Sequence, residues 1–247
     1  MSSIDLPPSK LGTKEHWDGV YSSEFTNFKE IGDEGEVWFG EDSVEKMVDW
    51  ALDHVPADPA PSILEVGAGN GNLLFALCEA GFAPGRMCGL DYSADAVKLA
   101  RAIASAKQRE QDAEEHEEDA SVKGPGAITF AVCDFLAEDV PALDGVEGTA
   151  TWDLVLDKGT FDAMALVGQN DQGVNIADGY PSRVGRVVKP GGYFLITSCN
   201  FTEEELKAKF ATAETGLVYH SRIPFPSFSF GGKSGNVYSS VAFHKQP

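Results

Sequence analysis

The chain has 247 residues, a length that typically makes one domain able to bury a core without metals or disulfides. Against 39 acidic residues there are 19 Lys and Arg, a formal charge of −20, which argues against holding a phosphate backbone and fits either a basic protein partner or, more simply, solubility. Four widely spaced cysteines, Cys78, Cys88, Cys133 and Cys199, form no metal-ligand pair, and no apolar run approaches the ~20 residues of a membrane span or the core of a secretory leader. The expectation is a cytoplasmic monomer with no metal, no membrane and no direct contact with nucleic acid.

Residues 1–13, with Pro7-Pro8 and no periodicity, are expected to be a disordered tail, and residues 14–247 a single domain. Within it, residues 14–60 form an aromatic N-terminal segment (Trp17, Tyr21, Phe25, Phe28, Trp38, Phe39) and a helix. Val44, Met47, Val48, Ala51, Leu52 and Val55 recur at helical spacing, with Asp42 as the expected N-cap and Glu45 three residues on. Strands and helices then alternate. Ser62–Val66 reads as a buried strand, followed by a helix through Leu73, Leu74, Leu77 and Cys78 that Gly81 terminates. Met87–Leu90 is a second strand, and Ser93 caps a helix through Ile103. Residues 105–126, which contain the acidic block Glu110–Asp119, are expected to be a surface loop. Ile128–Cys133, Trp152–Leu156 and Tyr193–Ser198 are further strands, with a helix around Val184–Val188 before Pro190-Gly191-Gly192. Thr202 and Glu205 make a capping box. Leu217–Ile223 and Val237–Phe243 follow with no helix between them, so they are expected to pair antiparallel. This α/β order predicts a mostly parallel sheet with an antiparallel C-terminal hairpin and helices on both faces; such an arrangement resembles the Rossmann-like, seven-stranded sheet of class I methyltransferases.

Glu65-Val66-Gly67-Ala68-Gly69-Asn70-Gly71 links the first strand to its helix. Glycine there allows a sharp turn and close approach to a ligand. The dinucleotide fingerprint would place its last glycine at 72, which is Asn72. The GxGxG spacing with a preceding acid suits S-adenosylmethionine, whose cationic groups favour a carboxylate such as Glu65, over a pyrophosphate. Asp91 ends the second strand and can accept from ribose hydroxyls, with Tyr92 beside it. Asp134 and Phe135 end the third and can meet the adenine, although packing alone explains Phe135 equally well. Gly232-Lys233-Ser234 lacks the earlier glycine of a P-loop and any following helix.

The fourth strand delivers Asp157 and Lys158 to the rim where methyl transfer is expected. No Asn/Asp-Pro-Pro-Tyr motif follows, which disfavours a flat target and favours a flexible amine. Leu11-Gly12-Thr13-Lys14, Trp17, Tyr21, Glu36-Val37-Trp38-Phe39-Gly40, the glycine loop, Asp91-Tyr92-Ser93, Leu156-Asp157-Lys158-Gly159-Thr160 and Leu195-Ile196-Thr197-Ser198-Cys199-Asn200 occur in that order. With them the chain resembles, over roughly residues 9–245, the fungal and animal lysine methyltransferases of eukaryotic elongation factor 1-alpha. The resemblance implies S-adenosylmethionine as methyl donor, S-adenosylhomocysteine as product and a lysine of elongation factor 1-alpha as target. A small-molecule or other-protein N-methyltransferase and a non-catalytic cofactor-binding homologue are the competing readings. The expected cofactor residues are Trp38, Glu65, Gly67, Ala68, Gly69, Gly71, Asp91, Tyr92, Asp134, Phe135 and Asp157. Trp17, Tyr21, Trp38 and Phe39 are expected to wall a substrate channel, and Asp157 and Lys158 to be catalytic. Asp157 either orients the amine and takes its proton or binds the methionine end of the cofactor.

Overall fold

A computed structural model describes residues 6–115, 127–143, 151–230 and 233–247. Seven strands form one sheet in the order β3-β2-β1-β4-β5-β9-β6. They are β1 (Ile63–Val66), β2 (Met87–Asp91), β3 (Thr129–Val132), β4 (Trp152–Lys158), β5 (Val188–Ser198), β6 (Leu217–Ile223) and β9 (Ser239–Lys245). The first five are parallel, and β9 enters antiparallel between β5 and β6. The connection between β6 and β9 carries a feature the sequence did not reveal, a two-stranded ribbon of β7 (Ser227–Phe230) and β8 (Lys233–Asn236).

Alternation along the central strands divides the core into two layers. Leu154 and Leu156 of β4 pack with helices α2 (Glu41–His54), α3 (Asn72–Glu79) and α4 (Ala94–Glu115). Val155 points the other way, into a cluster with α5 (Thr160–Ala165), α6 (Tyr180–Val187) and α7 (Glu203–Phe210). The central strands β1, β2 and β4, covered on both faces, read as apolar runs, whereas the edge strands β3 and β6 keep exposed residues. Phe161, Tyr180, Phe194, Phe210 and Phe243 fill the second layer, each at most 1 % exposed and contributing on the order of 2 kcal/mol by burial.

Several boundaries differ from the sequence expectations. The N-cap of α2 is Gly40, not Asp42, which lies in the first turn where its charge suits the helix dipole. α4 continues to Glu115, so residues 105–115 are helical rather than loop; Ala, Lys, Gln, Arg and Glu are strong helix formers. The remainder of the acidic block and of the expected loop, 116–126, falls outside the described residues. α6 ends at Val187 and β5 starts at Val188, because Pro190-Gly191-Gly192 forms an irregularity inside the strand rather than a helix stop. The tail is ordered from residue 6: Lys10–Gly12 make a 3-10 turn ahead of helix α1 (Lys14–Ile31), and the Ser9 N–H donates to Leu166 O at 3.0 Å. Gly12 lies so close to the Leu166–Val167 backbone that a Cβ would not fit. The capping box at Thr202 and Glu205 forms as expected; α3 takes Ala80 as its C-cap, and Gly81, expected there, follows one residue on with φ +102°.

Candidate active site

The carboxyl ends of β1, β2 and β4 meet at the glycine loop. Gly67, Gly69 and Gly71 have φ of +70°, +56° and +85°, values that side-chain-bearing residues adopt only with strain. Three of the loop's amides are spent within the protein. Ala68 N–H donates to Leu90 O (2.8 Å), Gly69 N–H to Asp91 Oδ2 (3.0 Å) and Gly71 N–H to Ala68 O (2.8 Å). A pyrophosphate needs such amides unpaired at a helix start, so this turn suits a ligand without phosphate. Gly71 does not line the cavity; it packs against the Phe130 and Phe75 rings and starts α3.

Above the loop is a cavity of about 640 Å³. Gly67, Ala68 and Gly69 form its floor, with Asp91 at the end of β2, Tyr92 just after it, and Asp134 and Phe135 after β3. Asp91 also accepts from Ser93 N–H at 2.8 Å; burial pushes its carboxyl up to about 6 against these hydrogen bonds. Phe135 both lines the cavity and packs 5.3 Å from the Tyr180 ring. Trp17, Tyr21, Trp38 and Phe39 all line it too. Trp17 stands edge-on to Trp38 at 4.8 Å and donates its indole N–H to Leu11 O at 2.7 Å. Phe39 has φ +65°, a strained value for an aromatic residue. Stacking on Tyr238 at 4.8 Å holds it there, as does the hydrogen bond from Lys158 Nζ to the neighbouring Trp38 O at 3.0 Å.

Asp157 departs from its expected place. It is fully buried and absent from the cavity wall. Oδ1 accepts from Thr160 N–H at 2.8 Å, and Oδ2 from Phe161 N–H at 3.0 Å and the Tyr180 hydroxyl at 2.5 Å. The carboxylate therefore caps α5. Burial pushes it up to about 7, with the Tyr180 bond opposing. Glu65 is likewise behind the wall, with Oε2 unpartnered, and burial pushes it up to about 8 against the attraction of Lys158. Lys158 does line the cavity; burial lowers its ammonium, and Glu65 and Asp157 oppose that shift.

Residues 57–243 match a family described as "Methyltransferase domain". The chain belongs to that methyltransferase family. It is 39% identical to "Protein-lysine N-methyltransferase efm4" of Schizosaccharomyces pombe, covering 98% of this chain and 97% of that one. It is 38% identical to "EEF1A lysine methyltransferase 2" of Homo sapiens, covering 96% and 88%. Among solved structures it is similar in fold to the N-methyltransferase NodS of Bradyrhizobium japonicum in complex with S-adenosyl-l-homocysteine, with TM-score 0.53, 13% identity and 92% and 99% coverage. The CcbJ methyltransferase of Streptomyces caelestis superposes with TM-score 0.59 at 13% identity, covering 92% and 98%.

The methyltransferase's cavity also has a wall that the sequence did not reveal. Met164 and Leu166 extend it, with Ile176 and Arg183 from around α6. Asp162 of α5 and Cys199-Asn200 after β5 complete it. α5 has six residues, too few for a periodic pattern, and Asp162 is recognisable only through its partners Ser198 and Cys199, far along the chain.

Proposed function

We propose that this methyltransferase transfers a methyl group from S-adenosylmethionine to a lysine side chain of translation elongation factor 1-alpha in the cytoplasm. The observation that carries this reading is the near-full-length identity to relatives named as elongation factor lysine methyltransferases, which extends through the N-terminal aromatic segment. The charge of −20 supports a basic protein substrate.

The cavity fits the cofactor. Gly67, Ala68 and Gly69 would allow its close approach, Asp91 with Tyr92 beside it would accept from the ribose, and Asp134 and Phe135 would meet the adenine. Trp38 closes the other end. When bound, S-adenosylmethionine supplies an electrophilic methyl group on a sulfonium. Glu65, Gly71 and Asp157 act from behind the wall, by shaping β1, α3 and α5.

Only a neutral amine attacks, and for a lysine of pKa ~10.4 neutralisation near pH 7 costs on the order of 4–5 kcal/mol. Trp17, Tyr21, Trp38 and Phe39 wall a dry channel that lowers this cost by disfavouring the ammonium. Tyr21 remains a protonated phenol, because burial pushes it far up. Lys158, whose Nζ is tied to Trp38 O, holds the aromatic segment against the rim where the amine enters. Catalysis comes chiefly from positioning.

Purified enzyme incubated with labelled S-adenosylmethionine, elongation factor 1-alpha and, separately, free lysine and small amines tests the reading. Label only on the protein supports it; label on small amines and none on the protein contradicts it.

A further inference from the structure

The wall formed by α5 and the end of β5 contains one uncommitted amide. Asn200 is half-buried and lines the cavity. Its backbone N–H is held by Asp162 Oδ1 at 3.3 Å and Ser198 Oγ at 3.2 Å. Its side-chain amide makes no hydrogen bond to any described residue.

The turn that presents Asn200 is built around Asp162, which is 3 % exposed. Oδ1 also accepts from the Ser198 hydroxyl at 2.6 Å, and Oδ2 accepts from Cys199 N–H at 2.8 Å. Ser198 Oγ in turn accepts from Phe201 N–H at 3.0 Å, and the Phe201 ring packs 4.9 Å from Phe161. A buried carboxylate on one helix thus fixes a four-residue turn after another element. α7 needs none of this to begin, since Thr202 and Glu205 cap it.

Other polar groups nearby are engaged. Thr160 Oγ1 donates to Val66 O at 2.8 Å, and Asp157 is consumed by α5 and Tyr180. Burial and Asp162 push the Cys199 thiol up to about 12, so it stays protonated and is no nucleophile near neutral pH.

We propose that Asn200 receives the substrate amine, its side-chain carbonyl oxygen accepting an N–H of the target lysine, and that Asp162 is the positioning residue that fixes it. This rests on the lysine reading above. The chemistry favours an amide over an acid at this point. A carboxylate beside the amine would stabilise the unreactive ammonium. A neutral amide oxygen orients the amine through one N–H and leaves its lone pair free for the methyl group.

The test compares Asn200→Ala, Asn200→Asp, Asp162→Asn and the double variant Asp162→Asn/Asn200→Ala in the full-length enzyme. Methylation of elongation factor 1-alpha is followed across pH, and binding of S-adenosylhomocysteine is measured separately by calorimetry. Asn200→Ala should lower kcat/KM about tenfold, as expected for one hydrogen bond lost in the transition state, and leave cofactor affinity within about twofold. Asn200→Asp should move the rising limb of the rate profile about one pH unit higher, which a purely structural role would not do. Asp162→Asn should cost about as much as Asn200→Ala, and the double variant about the same again, because both act on one contact. Unchanged kcat/KM in Asn200→Ala, or a parallel loss of cofactor binding, overturns the proposal while leaving the lysine reading intact. No label from the wild-type enzyme would refute the lysine reading itself, and this proposal with it.

Discussion

Replacing Asp157 by alanine removes the acceptor for three donors at once: Thr160 N–H, Phe161 N–H and the Tyr180 hydroxyl. Two of those bonds are wholly buried. A buried donor left without a partner costs about 1–3 kcal/mol. The Thr160 amide sits nearer the surface and recovers water, and removing a carboxylate that burial disfavours returns part of the loss. The net destabilisation is about 3 kcal/mol, and at ~2–4 °C per kcal/mol for a chain of this size the melting temperature should fall by about 6–12 °C. Asp157→Asn keeps one acceptor oxygen and should lose roughly half as much. The assay is thermal unfolding with and without saturating S-adenosylhomocysteine, alongside turnover at a temperature where each variant is folded. Asp157→Ala melting within about 2 °C of the wild type with turnover reduced a hundredfold would refute this reasoning and return Asp157 to the reacting groups.

Asp91→Ala frees the amides of Gly69 and Ser93 as well as the expected ribose acceptor, so S-adenosylhomocysteine affinity should fall at least about tenfold by calorimetry; unchanged affinity would remove Asp91 from the cofactor site. Stability should also depend on pH. Glu65, Asp91 and Asp157 all have carboxyls raised by burial, to about 8, 6 and 7. The folded state therefore holds protons that the unfolded chain has released, and its stability declines as pH rises from about 4 to about 8. The melting temperature should be higher at pH 6 than at pH 8, and a reversed trend would contradict the burial of these groups.

The parts of the site that depend on the neighbouring few residues were legible in the sequence. The glycine loop announces itself because left-handed backbone at Gly67, Gly69 and Gly71 demands glycine, and Asp91 because a strand end points its residue at the cavity. What was not legible depends on partners distant in sequence. Asp157 does stand at the end of β4, but Tyr180, on a different helix, decides that its carboxylate turns inward. Glu65 sits in the middle of a strand buried on both faces, so its charge cannot reach the loop it precedes. The length of α4 is hidden by its charge density, which marks a solvated loop as readily as a helix, although the helix propensity of its residues wins. The order of residues 6–13 comes from Gly12 fitting against Leu166, a contact no local pattern records.

The most direct test of the account is mass-spectrometric mapping of elongation factor 1-alpha after incubation with the purified enzyme and labelled S-adenosylmethionine. Label is expected on lysine alone and is lost in Asp91→Ala. An unlabelled elongation factor, with cofactor binding intact, would contradict it.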